Sequence, residues 1–182
     1  MVSFNPVTVL ATDNLILRRM ERRDLPDLFF MRSDPRMVEF TDSVPDVRID
    51  DTEAYLEKMD KGIDEDRWII WAIEHQDSKK VIGSICIWNI DPVRACGEVG
   101  YGIIPDYQGK GYMQEALSSV VQYAFQMTGL KAVEAFTEAS HLKSRRLLAK
   151  AGFVEIGTVD DPGFYSSRVY HMVVYRLENP EK

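Results

Sequence analysis

At 182 residues, 45% hydrophobic and 28% charged, the chain suits one globular domain with a sizeable core, and no apolar run reaches membrane-spanning length. The opening Met1-Val2-Ser3-Phe4-Asn5-Pro6 lacks the charged and apolar regions of a signal peptide, and Cys86 and Cys96 have no metal-ligand or redox spacing, so two buried thiols in a reducing cytoplasm are expected. The net charge of −7 sits in the N-terminal third, where 16 acidic residues face 9 basic ones through Asp66, against 13 of each thereafter. That third is either a set of solvated helix faces or an acidic wall that draws a cationic partner, and it disfavours free nucleic acid.

In chain order, Leu15-Ile16-Leu17 reads as a first strand after a polar Thr12-Asp13-Asn14 turn. Asp24 is placed to cap a helix with Pro26 in its first turn and Leu25, Leu28, Phe29 and Met31 on its apolar faces; Asp34-Pro35 stops it. Residues 38–47 read as a loop or a short turn of helix. Asp50 or Asp51 then caps a second helix carrying Tyr55, Leu56, Met59 and Ile63, with Gly62 near its end. Strands follow at 68–73, 81–88 (Gly83 a candidate bulge) and 95–104, separated by turns at Gln76-Asp77-Ser78-Lys79 and Asp91-Pro92. A long helix carries Met113, Ala116, Leu117, Val120, Val121, Ala124 and Phe125 at three- and four-residue spacing. After Thr128-Gly129 come a strand at 132–137, a helix at 142–151 closed by Gly152, and strands at 153–159 and 168–177 joined by loop 160–167. The pattern is α+β: an antiparallel meander, then a strand–helix–strand crossover that should be parallel and right-handed.

Between the strand ending at Ile104 and the long helix lies Gln108-Gly109-Lys110-Gly111-Tyr112-Met113. Two glycines at a helix N-terminus present backbone N–H groups without intrahelical partners, where the helix dipole favours an anion such as a phosphate or pyrophosphate. On the glycine pair alone, a plain turn is the simpler reading. Two nucleotide motifs are excluded by spacing. A Walker loop needs glycine at Ile104 and Ser or Thr at Gly111, and a dinucleotide fingerprint starting at Gly109 needs Gly or Ala at Gln114.

Gln108-Gly109-Lys110-Gly111-Tyr112-Met113 resembles the Q/R-x-x-G-x-G/A acetyl-CoA motif of the GNAT N-acetyltransferase superfamily, flanked by Glu98-Val99-Gly100-Tyr101 and Glu115-Ala116-Leu117. Ser144-Arg145-Arg146-Leu147-Leu148-Ala149-Lys150-Ala151-Gly152-Phe153 is similar to the later S-x-x-L-L-x-K-x-G-F helix of that family. Element order matches over about 12–177, and the branch it looks most like is that of the RimJ/RimL-like ribosomal-protein N-terminal acetyltransferases. The resemblance implies a mixed, mostly antiparallel twisted sheet of about six to seven strands with a parallel β-α-β crossover and about four helices. Three positions depart from the pattern: Met113 replaces Gly or Ala, His141 stands where an Asn is common, and Leu148 occupies the position of a tyrosine acid used by many relatives.

What the resemblance implies is acetyl transfer from acetyl-CoA, a cosubstrate, to an amine in a ternary complex, without a metal. The backbone from Gly109 to Met113 would hold the diphosphate with Lys110 adding charge, Gln108 belongs to the same motif, and Ile103 and Ile104 would pair with the pantetheine arm. Tyr112 suits packing or a cofactor contact, and His141 a pantetheine contact, a proton shuttle or a cap. Glu98, a carboxylate in a small apolar strand, is the candidate base, acting directly or through water, and Ser144 the candidate proton donor to the thiolate. An α-amine, with a pKa of about 7.7–8 against about 10.4 for lysine, needs less help from such a site, so a protein or peptide N-terminus is the leading acceptor. The rivals are a small amine (polyamine, aminoglycoside or amino acid) and an inactive CoA-binding sensor. The acceptor pocket should lie between the two N-terminal helices and loop 160–167, where Phe164 and Tyr165 either line it or fill the hairpin core. A monomer or a homodimer is expected, with no membrane and no direct nucleic-acid partner.

Overall fold

The computed structural model of the protein describes residues 6–181; the first five residues, which bear on a leader, lie outside them. In chain order the elements are β1 (Leu10–Ala11), β2 (Leu15–Arg18), α1 (Leu25–Ser33), α2 (Ile49–Asp64), β3 (Ile69–His75), β4 (Val81–Asp91), β5 (Cys96–Ile103), α3 (Tyr112–Met127), β6 (Ala132–Glu138), α4 (Leu142–Lys150), β7 (Val154–Pro162) and β8 (Val169–Glu178). The strands form one sheet in the order β1-β2-β3-β4-β5-β6-β8-β7. Every pair is antiparallel except β5–β6, which is parallel, as the intervening α3 requires. The added strand is the two-residue β1, too short for any periodicity to signal.

The β5–β6 pairing is brief. Its register runs only through Cys96↔Ala132, Gly97↔Val133 and Glu98↔Glu134, whereas β4 stays paired with β5 out to Gly83↔Ile103 and β8 with β6 out to Met172↔Glu138. Each strand is held by its outer neighbour, and beyond Glu98 the two part into a wedge.

Strand alternation sorts the side chains onto two faces. On one face Trp71 meets Tyr123 of α3 edge-on, with ring centroids 5.4 Å apart, and Ala116, Leu117, Val120 and Ala124 of α3 are fully buried. On the other, α1 and α2 cover β3 and β4 through Leu28, Met31, Leu56 and Ile63. Gly62 is required by close packing: a Cβ there would lie 2.0 Å from the Trp68 ring.

Of the local expectations, the bulge at Gly83 holds and several others are corrected. Asp24 does not cap α1 with its side chain; its carboxylate accepts from both terminal nitrogens of Arg18, at 2.8 and 2.9 Å, and from Glu21 N–H. The α2 cap is Arg48, and Asp51, three residues on, accepts from the backbone N–H of Arg48 at 2.9 Å. The register shift in β3–β4 falls beside Gly83, which also has no room for a Cβ against the Gly102 carbonyl, 2.4 Å away. Cys86 and Cys96 are free thiols, Cys86 partly exposed and Cys96 buried. Much of the acidic excess in the N-terminal third is ion-paired on the surface, Asp60 and Asp64 with Arg19, Glu53 with Arg22 and Asp50 with Arg48. Among the described residues no helix is long and apolar enough to cross a membrane.

Arg18 ties three elements together, bridging Asp24 and, at 2.7 Å, Glu74 of β3. Burial alone would raise the Asp24 carboxyl, but Arg18 and the Glu21 N–H overcome it and hold it below its ordinary 3.8. Asp24→Ala removes the two-hydrogen-bond partner of Arg18 but leaves it paired with Glu74, so the variant should lose about 1.5–3 kcal/mol in urea unfolding, the cost of charge-assisted hydrogen bonds rather than of a stranded charge. A depressed carboxyl contributes stability above its unfolded pKa and loses it as pH falls through the folded value. Wild-type stability should therefore drop more steeply than that of Asp24→Ala below pH 3.8.

Candidate active site

The wedge, the loop after β5 and the first turns of α3 and α4 form one continuous site. Gly109 and Gly111 have φ of +75° and +86°, left-handed conformations that only glycine adopts without strain. A Cβ at either would meet nothing within 4 Å, so the space beside this backbone is open. Gly111 is the N-cap of the 16-residue α3 and offers no side-chain cap. The first intrahelical bond is Glu115 N–H to Gly111 O at 3.0 Å, so the N–H groups of Tyr112, Met113 and Gln114, at the start of the helix beside that space, have no intrahelical acceptor. The arrangement is an anion cradle with the helix dipole behind it.

The motif's side chains divide between bracing and flanking the cradle. Gln108 donates Nε2–H to the Ile103 carbonyl at 3.2 Å and accepts from Lys143 at 3.0 Å, tying loop, β5 and α4 together. Lys110 lies over the Tyr107 ring, 5.1 Å from its centroid. Tyr112 turns toward β3, its hydroxyl 3.2 Å from His75 Nε2, and the Met113 side chain is buried in the core. Only the backbone of Met113 thus faces the cradle.

Along β5, Gly102 pairs with Ser84 and Gly100 with Cys86, so alternation turns the N–H and C=O groups of Val99, Tyr101 and Ile103 toward the wedge. The Ile103 carbonyl already accepts from Gln108 and Val99 lies beside the last β5–β6 pair, so the groups left to pair with an extended arm in the gap are those of Tyr101 and the Ile103 N–H. Ile104 is corrected on this point: its N–H donates to the Ile82 carbonyl at 2.9 Å, which leaves Ile103 as the outward-facing member of the two.

Glu98 stands at the apex of the wedge, on the face shared with α1 and α2. Burial pushes its carboxyl above the ordinary 4.5; the Asn89 amide, 3.4 Å away, works against this, while Glu134 and Asp161 add to it. Glu134 and Glu138 share the face but are engaged, Glu134 by Arg94 and Arg176 and Glu138 by Ser140 and Arg168. Of these three glutamates, Glu98 is the one without an arginine among its hydrogen-bond partners in the described residues.

On the opposite face, Ser144 in the first turn of α4 is buried, and its Oγ lies 2.8 Å from the hydroxyl of Tyr101. Burial pushes the Tyr101 phenol up to about 12, so it stays protonated and able to donate. Base and hydroxyl pair thus approach the same gap from its two faces. His141 is the N-cap of α4 through its backbone, its carbonyl accepting from the Arg145 N–H at 3.2 Å, but its side chain makes no cap: the half-buried ring stacks on Phe40, with centroids 4.1 Å apart, and burial draws it below the ordinary 6.5.

Loop 38–46 and the β7–β8 loop are strapped together over this region. Asp42 accepts from the backbone N–H groups of Phe164 and Tyr165, Arg168 donates to the Glu39 carbonyl, and the Tyr170 hydroxyl donates to the Thr41 carbonyl. Phe164 and Tyr165 themselves are 87% and 66% exposed and stack edge-on, so neither fills a hairpin core.

The model of the Acetyltransferase (GNAT) domain matches residues 14–154, which span the wedge, the cradle and α4. The chain belongs to the GNAT acetyltransferase family. The uncharacterized N-acetyltransferase YoaA of Bacillus subtilis is 29% identical over 174 residues, covering 96% of this chain and 98% of YoaA. In fold, the protein is similar to Mycobacterium smegmatis RimJ in complex with CoA-disulfide, at TM-score 0.87 and 18% identity, over 100% of this chain and 91% of that one. It is also similar to spermidine N-acetyltransferase from Vibrio cholerae in complex with CoA and spermine, at TM-score 0.78 and 22% identity, over 92% and 96%.

As a GNAT acetyltransferase the chain takes its acetyl group from acetyl-CoA, and the site fits that donor. The cradle's open space and free N–H groups match a diphosphate, and the unpaired β5 edge matches an amide-bearing arm. Among the described residues no group of three His, Cys, Asp or Glu is placed to hold a metal.

Sequence reasoning missed Tyr101, Asn89 and Phe40. The first was accessible: three residues after Glu98 in a strand, Tyr101 must face the opposite side. Asn89, with φ of +47° beside the β4–β5 irregularity, and Phe40, in a loop, depend on long-range packing.

Proposed function

We propose that this GNAT enzyme acetylates the N-terminal α-amine of a protein or peptide in the cytoplasm, acting as one catalytic domain. The observation that carries this reading is the position of Glu98 at the apex of the wedge, desolvated and without an arginine partner among the described residues. Glu98 would accept the proton of the attacking amine, directly or through water. The backbone N–H groups of β5 at the gap would stabilise the oxyanion, and Ser144, backed by Tyr101, would return a proton to the departing thiolate. The backbone of residues 109–113, Lys110 and the outward-facing Ile103 would hold the cofactor, with Gln108 bracing the loop, Tyr112 packing behind it and His141 beside the pantetheine arm. Alignment of amine and thioester supplies much of the acceleration, worth about 7–11 kcal/mol.

Two features favour an α-amine over a polyamine. A polyamine needs further carboxylates for its remaining ammonium groups, whereas Glu134 and Glu138 already hold arginines. The strapped loops suit a chain end entering end-on. Two free thiols in the chain agree with a reducing compartment.

Incubation with acetyl-CoA and a panel of N-terminal peptides, polyamines, aminoglycosides and amino acids, followed by free thiol release, tests the reading. Release with peptides is expected. Tight CoA binding with no release on any amine would instead identify a sensor.

Ser144→Ala should lower kcat by about tenfold or more, and Tyr101→Phe by less, because the serine hydroxyl remains in the latter. Equal kcat for Ser144→Ala and the parent would remove Ser144 from the proton path.

A further inference from the structure

The chain has three tryptophans, and they use their indole N–H groups differently. Trp68 donates to the Met59 carbonyl at 3.1 Å and Trp71 to the Thr8 carbonyl at 2.8 Å, whereas Trp88 Nε1–H has no partner among the described residues. Trp88 is also 44% exposed, so its side chain is open to solvent rather than committed to the core. Its place in the sheet sets it beside the base. Trp88 is the register partner of Glu98, so the two side chains stand on one face. Its Nε1 lies 3.8 Å from where a Gly100 Cβ would sit. Glu98 is the last β5 residue paired with β6, and Gly100 is the next on that face, where the wedge has opened. The backbone of β4 is shaped around the same point. Its register with β5 breaks between Trp88 and Asp91, and Asn89 takes a left-handed φ of +47°. In a regular strand Trp88 and Asn89 would face opposite sides, yet here the Asn89 amide reaches Glu98 at 3.4 Å while Trp88 stays opposite it.

An ionised carboxylate only accepts hydrogen bonds, and an indole N–H only donates. Side by side, the two are complementary to one chemical unit, an amine that donates with a carbonyl that accepts on the neighbouring carbon. Every chain end presents that unit. A polyamine presents ammonium donors alone, and the ε-amine of lysine has no carbonyl near its nitrogen. We infer that Trp88 Nε1–H donates to the carbonyl of the acceptor's first residue while Glu98 takes its amine, so that Trp88 is a specificity-determining residue for α-amines beside a carbonyl. The inference rests on the α-amine reading above and names the group that recognises such an acceptor. Leaving the donor unpaired, or removing it, should cost the peptide about fivefold or more in kcat/KM.

The test pairs one peptide with an analogue whose first amide is replaced by an E-alkene, which keeps the planar shape and the amine but has no carbonyl oxygen. The kcat/KM of each is measured with the parent and with Trp88→Phe, which keeps an aromatic ring and removes the N–H. The parent should prefer the peptide, and Trp88→Phe should shrink the peptide-to-alkene ratio by about fivefold or more, through the peptide alone. Any effect of the alkene on the basicity of the amine is common to both enzymes and cancels in this comparison. Trp88→Leu, with neither ring nor N–H, should shrink the ratio to the same extent. The Kd for acetyl-CoA should match the parent in both variants, because the cradle belongs to other residues. An unchanged ratio in Trp88→Phe, or an equal loss with both acceptors, would overturn the inference while leaving the α-amine reading intact. A ratio kept by Trp88→Phe and lost in Trp88→Leu would assign the contact to the ring and also overturn it. Transfer to polyamines, with neither the peptide nor its analogue used, would overturn both.

Discussion

Glu98→Gln is expected to lower kcat for acetyl transfer by about a hundredfold or more near neutral pH, with the Kd for acetyl-CoA changed by less than about twofold. The amide keeps the shape and the Asn89 contact but cannot take a proton. The cofactor's cradle and strand edge belong to other residues, so ground-state binding should be spared. The pH dependence carries the sharper signature. Burial, with the negative charges of Glu134 and Asp161, holds the Glu98 carboxyl above its ordinary 4.5. A base must be ionised to act, so parent kcat should fall on the acid side as pH drops through that raised value, and the variant should lose this limb. A variant with the parent's turnover and acid limb would show that Glu98 is not the base. Part of the rate should survive in any case, because alignment of amine and thioester does not depend on the carboxylate.

Gly111→Val should weaken acetyl-CoA binding by about a hundredfold, read as Kd by titration calorimetry. Two effects combine. A β-branched residue at φ of +86° is strained by about 1–3 kcal/mol, and its side chain would project into the open space that the diphosphate needs. Gly152 provides the control, since it too is left-handed, with φ of +88°, but a Cβ there would lie 3.7 Å from Leu177, in ordinary contact. Gly152→Ala should therefore lose stability in thermal unfolding and keep its affinity for acetyl-CoA. Similar affinity losses in the two variants would mean that strain, rather than occupation of the cradle, governs binding.

The cradle was legible in the sequence only in part: its residues are local, but the glycine pair alone reads as a plain turn, and the resemblance to the family motif is what made it an anion site. Gly109, Gly111 and the stripe beginning at Met113 lie within a few residues, which places two glycines at a helix start without saying what they hold. Glu98 stood out as a candidate by contrast, a carboxylate among glycines and valine in a short strand. The crossover followed from strand, helix and strand in succession. What the sequence withheld was non-local. The parting of β5 from β6 after Glu98 arises because β4 and β8 hold their partners in place, and no residue of β5 announces it. Asp24 reads as a helix cap from its neighbours, but Arg18 and Glu74 claim it in the folded chain. The His141 side chain reads as a cap or as exposed until Phe40, from the far side of the cleft, is laid against it. Met113 was placed in a binding motif and belongs there only through its backbone, because a helix stripe and a cradle share that position.

The most direct test of acetyl transfer to an α-amine uses one peptide with a free N-terminus and an internal lysine, beside the same peptide blocked at its N-terminus, each incubated with acetyl-CoA and mapped by fragmentation mass spectrometry. The account predicts one added acetyl group on the α-nitrogen of the free peptide, with one equivalent of thiol released, and no product from the blocked peptide. Acetylation of the lysine in both peptides, or thiol release with spermidine and with neither peptide, would contradict it.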